Sequence, residues 1–269
     1  MKVIKNCCMA DYTSFKTGKN ADYLLIPESE KEIVEAISFA KKENLPYMIL
    51  GNGTNVLFAG DYHGVVIKLQ SENISKIAKD AAKKGLAGLE FASGIPGSLG
   101  GAIYMNAGAY GGEMAKVLKT VTSIDTEGNI HVRNADECEF SYRHSIFMEN
   151  KEIILSADFE LYPDDAAEIE KRIADLTKQR TSKQPLSYPS AGSFFKRPEG
   201  YFAGKLIEDA GLKGLSVGGA QVSELHAGFI INKGNASPED IIDLMKVVQE
   251  TVKNKFDVLL EPEVQIIGL

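Results

Sequence analysis

Apolar residues recur along this chain in two periods, and the alternation between them predicts its elements. Tyr23-Leu24-Leu25-Ile26 is a short apolar run halted at Pro27, which reads as a strand. Ser29 with Glu32 three residues on forms a capping box, and Ile33, Ala36, Ile37 and Ala40 then repeat at helical spacing as far as Asn44-Leu45-Pro46. Tyr47-Met48-Ile49-Leu50 is the next strand, so the fold begins as a β-α-β unit. Residues 65–69 read as a strand and 75–84 as a helix with Ile77, Ala78, Ala81 and Ala82 towards the core, its lysines forming a solvated face. Residues 117–124 and 130–132, around the turn Asp125-Thr126-Glu127-Gly128-Asn129, predict a hairpin, and 153–161 a further strand. A helix follows over 166–180, striped by Ile169, Ile173 and Leu176. The periodicity then breaks at Thr181-Ser182-Lys183-Gln184-Pro185, which places the main boundary there. Beyond it, 227–231 reads as a buried strand. Ser237-Pro238-Glu239-Asp240 opens a helix with proline at its first position, and 258–267 reads as a final strand in which Pro262 marks an edge or a bulge.

Two glycine-rich stretches interrupt this pattern. Residues 94–112 carry seven glycines, Gly94, Gly97, Gly100, Gly101, Gly108, Gly111 and Gly112, with apolar residues threaded between them. Bare backbone of this kind suits a large anionic cofactor, and it equally suits a tight crossover inside a sheet. Gly51-Asn52-Gly53-Thr54-Asn55 also has two readings: a hairpin turn, or a nest of backbone N–H groups around a pyrophosphate with Thr54 and Asn55 as extra donors. It is neither a Walker loop nor G-x-G-x-x-G, so a nicotinamide site of the Rossmann kind has no support.

Composition narrows the chemistry. Of 269 residues, 44% are hydrophobic and 25% charged, and the net charge of -7 leaves no basic excess for nucleic-acid binding. The start has no signal-peptide core and no window is long and apolar enough for a membrane span, so a cytoplasmic protein is expected. Cys7, Cys8 and Cys138 make neither a disulfide framework nor a ligand set and read as plain thiols. His63, His131, His144 and His226 show no zinc spacing, so no metal is expected. Read singly, Arg143 is a surface cation stacked on Tyr142 or a fork for a substrate carboxylate, Ser193 a turn former outside any G-x-S-x-G elbow, and His226 a structural histidine. Glu263, an acid in an apolar strand, asks for a partner.

Taken together, six segments in order resemble one family, the UDP-N-acetylenolpyruvoylglucosamine reductases, flavoenzymes of peptidoglycan precursor synthesis. They are Gly51-Asn52-Gly53-Thr54-Asn55; Gly88-Leu89-Glu90-Phe91 with Gly94-Ile95-Pro96-Gly97; Met105-Asn106-Ala107-Gly108-Ala109-Tyr110-Gly111; Tyr142-Arg143-His144-Ser145; Ala191-Gly192-Ser193-Phe194-Phe195-Lys196; and Leu260-Glu261-Pro262-Glu263-Val264. The resemblance runs from Thr13-Ser14-Phe15-Lys16 to Glu263-Val264, nearly the whole chain. The short connection from Arg143 to Gln184 looks like the family's second type, which lacks a loop closing over the substrate.

The resemblance implies an α/β (α+β) architecture: an FAD-binding fold of the vanillyl-alcohol-oxidase type in two subdomains, 1–69 and 70–182, a smaller substrate domain over 183–257, and a C-terminal strand over 258–269 returning to the active site. It implies that Gly51, Asn52, Gly53, Thr54 and Asn55 hold the FAD pyrophosphate. Gly94, Ile95, Pro96, Gly97, Gly100, Gly101, Asn106, Ala107, Gly108 and Gly111 would line the adenine and isoalloxazine. Ser193, Arg143 and Glu263 would be catalytic, with Tyr142, Lys196, Arg197 and His226 on a UDP-sugar substrate and NADPH as donor. No nucleic acid, membrane or obligate protein partner is implied.

Two departures stand out. The family's further strand pair, with its glycine-containing flavin contact, is missing where Ser75 runs straight into Lys76, which bears on FAD affinity and on local folding. Leu225 stands where many relatives carry lysine, and Lys19 where glycine is common, so substrate phosphate contacts are expected to differ.

Overall fold

A computed structural model describes all 269 residues. In chain order the elements are β1 (Lys2–Cys8), β2 (Asn20–Ile26), α1 (Glu30–Lys42), β3 (Tyr47–Leu50), β4 (Val56–Phe58), β5 (Tyr62–Lys68), α2 (Ile74–Lys83), β6 (Leu86–Ala87), α3 (Leu99–Tyr104), β7 (Gly108–Ala109) and β8 (Gly112–Glu113). There follow β9 (Leu118–Ile124), β10 (Ile130–Asn134), α4 (Phe147–Asn150), β11 (Ile153–Phe159), β12 (Tyr162–Pro163), α5 (Ala166–Lys183), α6 (Ala203–Asp209), β13 (Ser216–Val217), β14 (Ala220–Val222), β15 (Ile230–Asn232), α7 (Pro238–Phe256) and β16 (Gln265–Ile267). β1, β2, β5 and β3 lie in that order in one sheet, so β5 separates the two strands of the expected β-α-β unit.

The chain divides into two compact units interleaved in sequence: residues 1–3, 25–52 and 66–180 form the first, and 4–24, 53–65 and 181–269 the second. In the first, the antiparallel sheet β10-β9-β11 sets Ile124 opposite both Ile130 and Ile153, and the core gathers Ile74, Phe91, Ile103, Met114, Val121 and Phe147. The second unit is built on β13-β14-β15 and α7. Ile241, Leu244, Val248 and Val252 of α7 are fully buried against Phe194, Ile207 and Ile230, each contributing about 1.5–3 kcal/mol of burial.

Local chemistry explains most boundaries. Ser29 caps α1 by accepting from the Glu32 N–H at 3.3 Å, but the Glu32 carboxylate goes to the Glu28 N–H at 2.8 Å and to the Met1 ammonium, so the capping box is only half made. The complete box is at α7, where Ser237 accepts from the Asp240 N–H at 3.1 Å and Asp240 returns to the Ser237 N–H at 3.0 Å. In α2, Asn73 caps the Ser75 N–H at 2.9 Å, and Ile74 rather than Ile77 is the fully buried isoleucine. That cap makes the shortened junction after β5 an orderly helix start.

Three expectations need correction. The helix expected to end at Arg180 runs three residues further, to Lys183, because none of residues 181–183 is a breaker and Pro185 stops it. Of 258–267, only Gln265–Ile267 is strand; it pairs in parallel with β4, and Pro262 makes an isolated bridge with Phe195. The hairpin reading of 51–55 fails, since β4 pairs with β16 and not with β3.

Candidate active site

In the second unit the site is assembled by backbone pairing. The Glu263 N–H donates to the Phe194 carbonyl at 2.8 Å and the Lys196 N–H to the Glu261 carbonyl at 2.8 Å, which fixes 193–196 antiparallel to 261–264. On the other side, the Phe194 N–H donates to the Gly228 carbonyl at 2.8 Å. Ser193 is therefore carried on a short extended segment between the 261–264 segment and the His226–Gly228 turn, anchored by the fully buried Phe194. Ser193 itself is exposed, and at Gly192, with φ of +78°, open space lies where a Cβ would stand.

The same segment reaches the glycine turn. Asn55 Nδ2 donates to the Glu263 carbonyl at 3.1 Å and the Gln265 N–H to the Asn55 carbonyl at 3.0 Å. Gly53 is buried with φ of +63°, and a Cβ there would stand 2.1 Å from the Tyr12 carbonyl oxygen, so only glycine fits. Ser14 clamps this corner: its N–H donates to the Gly53 carbonyl at 3.0 Å and its hydroxyl to the Ser190 carbonyl at 2.6 Å. Within the turn and loop network, Gly53 and Asn55 act as acceptors, which leaves the N–H groups of Gly53, Thr54 and Asn55 for a ligand.

His226 sits by its ring against Phe229, with centroids 5.0 Å apart, and its Nδ1 accepts from the Gly228 N–H at 3.1 Å. Burial pulls its pKa below the usual histidine value, which favours the neutral ring that this bond requires. Lys196 pairs with Glu261 at 3.3 Å on the surface, and the Arg197 guanidinium stacks over Phe202 at 4.0 Å. Lys19 forms a 2.6 Å ion pair with Glu239, and Leu225 is half exposed.

In the first unit, Asn106 organises the loops around the glycine stretch. It is 2% exposed with φ of +42°; its Nδ2 donates to the Ser141 carbonyl at 3.0 Å and its Oδ1 accepts from the Ala115 N–H at 3.0 Å. The glycine stretch is thereby tied to the 141–145 loop, where the Ser145 hydroxyl donates to the Tyr104 carbonyl at 2.6 Å. Arg143 stands in that loop at φ of +57°, with its guanidinium 5.1 Å from the Tyr142 ring centre and Nη2 3.5 Å from the Gly108 carbonyl.

The stretch 94–112 contains two structures. Ser98 caps α3 through the Gly101 N–H at 3.2 Å, so Gly100 and Gly101 lie in a helical turn following Ile95, Pro96 and Gly97. After buried Ala107, β7 and β8 form a hairpin whose tip, Tyr110 and Gly111, has φ of +53° and +82°, with open space at the Gly111 Cβ position. The Asn52 amide reaches the Pro96 carbonyl at 3.5 Å. Arg180 was not singled out from the sequence; its Cδ would stand 2.8 Å from a Cβ at Gly94. Ser14 was also missed, because a serine hydroxyl holding two backbone strands has no spacing of its own.

In the first unit the exposed Gly111, at positive φ with open space at its Cβ position, leaves the hairpin tip's backbone accessible. No helix is long and apolar enough to cross a membrane.

Comparison with known proteins gives the same picture. Residues 184–267 match the family described as UDP-N-acetylenolpyruvoylglucosamine reductase, C-terminal domain, and residues 21–82 and 71–133 match an FAD binding domain. The second match comes in two overlapping pieces, and the overlap falls at the shortened junction around Ser75. The chain is 49% identical to the UDP-N-acetylenolpyruvoylglucosamine reductase of Clostridium novyi, covering 99% of this chain and 92% of that protein. With the enzyme of the same name from Caldanaerobacter subterraneus it shares 49% identity over 99% and 94%. Both alignments run over 284 positions, more than this chain has residues. Among solved structures, the reductase from Thermus caldophilus is 34% identical, covers 99% of both chains and superposes with a TM-score of 0.86.

Proposed function

The chain belongs to the UDP-N-acetylenolpyruvoylglucosamine reductase family, and from that premise we propose that it reduces the enolpyruvyl group of UDP-N-acetylglucosamine enolpyruvate to UDP-N-acetylmuramate, with FAD as cofactor and NADPH as donor, in peptidoglycan precursor synthesis. The observation that carries this reading is the near-complete coverage of relatives bearing one name, on a fold that includes an FAD binding domain.

The turn at 51–55 would hold the cofactor diphosphate through backbone N–H groups, with residues 94–97, 100–101, 106–108 and 111 against the rest of the dinucleotide. FAD held there would supply the hydride chemistry between NADPH and the terminal carbon of the enolpyruvyl double bond. Negative charge then develops on the neighbouring carbon and its carboxylate. Arg143 would hold that charge through charge-assisted hydrogen bonds, with Glu263 ordering the same network. The Ser193 hydroxyl would give its proton to the neighbouring carbon, which completes addition of one hydride and one proton across the double bond. Tyr142, Lys196, Arg197 and His226 would bind the UDP-sugar. The roles fall to the cofactor-binding residues of 1–69 and 70–182, the substrate domain of 183–257 and the returning segment 258–269. We place the enzyme in the cytoplasm.

The experiment is a visible spectrum of the desalted protein, taken anaerobically with NADPH and then with the enolpyruvyl substrate. A flavin band that bleaches with NADPH and returns with substrate supports the reductase. No flavin after incubation with FAD, or a bleached band that only oxygen restores, overturns it.

A further inference from the structure

Lys68, the last residue of β5, lies beside the glycine turn, and the sequence reading gave it no role. Its ammonium donates to the Gly51 carbonyl at 3.2 Å. It is half-buried, and no carboxylate comes within ion-pair distance of it, although ion pairs are common elsewhere on this chain. Burial alone pulls its pKa below the ordinary lysine value. An ammonium has three donors, and one is used. A half-buried cation without a counter-ion is costly unless something anionic completes it.

The neighbourhood is built for an anion. The carbonyl that Lys68 holds belongs to Gly51, the first residue of the turn, so the side chain both fixes the turn and carries charge to it. A Cβ at Gly51 would stand 2.4 Å from Ser98 Oγ, so the turn and the start of α3 are in close contact, and the Asn52 amide is held on the Pro96 carbonyl at 3.5 Å. The Lys68 ammonium thus sits at a turn packed against the start of α3, with no carboxylate in ion-pair distance.

We propose that Lys68 is a cofactor-binding residue that neutralises the diphosphate of the bound dinucleotide at the Gly51–Asn52 end of the turn. This rests on the reading of FAD as the cofactor.

The test titrates flavin-free full-length protein with FAD, riboflavin and NADPH, reading flavin fluorescence and thermal unfolding. Lys68→Gln is expected to weaken FAD binding about 10- to 100-fold, flatten its salt dependence and leave riboflavin, which has no phosphate, within about twofold. Lys68→Arg is expected to recover most of the loss. An equal loss for riboflavin would show that Lys68 only supports the Gly51 carbonyl, and unchanged FAD binding in a folded Lys68→Gln protein would remove it from the site; either overturns the proposal. A weakened NADPH titration with intact FAD binding also overturns it, since the charge would then serve the donor. Wild-type protein that binds no FAD defeats the underlying reading instead, and is told apart because the variant plays no part in it.

Discussion

Glu263 donates its backbone N–H to the carbonyl of Phe194 at 2.8 Å, so the candidate carboxylate and the candidate proton donor Ser193 ride on paired backbone one residue out of register. The hydroxyl's position is thus set by a ladder and a buried phenylalanine rather than by a hydrogen bond of its own. Replacing it should remove the proton and little else. Ser193→Ala is expected to leave bleaching of the flavin by NADPH at its normal rate and to slow reoxidation by the enolpyruvyl substrate by about 100- to 10,000-fold, measured by anaerobic stopped flow. Reoxidation at the wild-type rate would take Ser193 out of the mechanism.

Gly53 and Gly111 both have positive φ, yet their surroundings differ. A Cβ at Gly53 meets the Tyr12 carbonyl oxygen at 2.1 Å, while at Gly111 it meets nothing within 4 Å. Gly53→Ala therefore combines backbone strain with a clash against backbone and is expected to cost about 3 kcal/mol or more; Gly111→Ala carries the strain alone, about 1 kcal/mol. Urea unfolding of the two flavin-free variants checks this, and equal costs would show that the turn relaxes where it is drawn as tight.

His226 links stability to pH. Burial depresses its folded-state pKa, and its Nδ1 must be unprotonated to accept from the Gly228 N–H. In the unfolded chain the ring takes up its proton near pH 6.5, so the unfolded state binds more protons below that value. The contribution is complete above about pH 6.5 and is lost as pH falls towards the folded-state pKa. His226→Gln should flatten the loss of stability below about pH 6.5, read by urea unfolding at each pH. An NMR titration placing the ring above 6.5 would reverse the sign and sink the argument.

Much of this was legible in the sequence because the signals are local. Ser237-Pro238-Glu239-Asp240 announced α7, and the β9–β10 hairpin followed from its turn residues. What escaped depended on distant partners. The stretch 258–267 reads as one strand, but β4 pairs only with its last three residues, and Pro262 can make no ladder donation. The Asn-Gly at 52–53 looks like a hairpin until β16, more than two hundred residues on, takes β4 as its partner. Asn106 was read as a cofactor residue through its motif; that its amide also ties Ser141 to Ala115 is visible only once the loops meet.

Glu152 offers a test of the first unit that is independent of any ligand. Its side chain is only 7% exposed and accepts from the Ser123 hydroxyl at 2.5 Å, from Arg133 Nη2 at 2.7 Å and from Arg133 Nη1, a two-pronged pair between β10 and the start of β11. Removing the carboxylate leaves the Arg133 guanidinium, itself largely covered, without a counter-charge and with only the Ser123 hydroxyl to accept from it at 3.2 Å. Glu152→Ala is expected to cost about 3–5 kcal/mol, measured by urea unfolding of flavin-free protein. Replacing both partners with apolar residues of similar volume, Glu152→Leu with Arg133→Met, should recover most of that loss, because the penalty comes from the stranded charge and not from the attraction forgone. If the double variant is as unstable as the single, the pair's geometry rather than its charge balance holds the sheet, and Ser123 becomes the residue to examine.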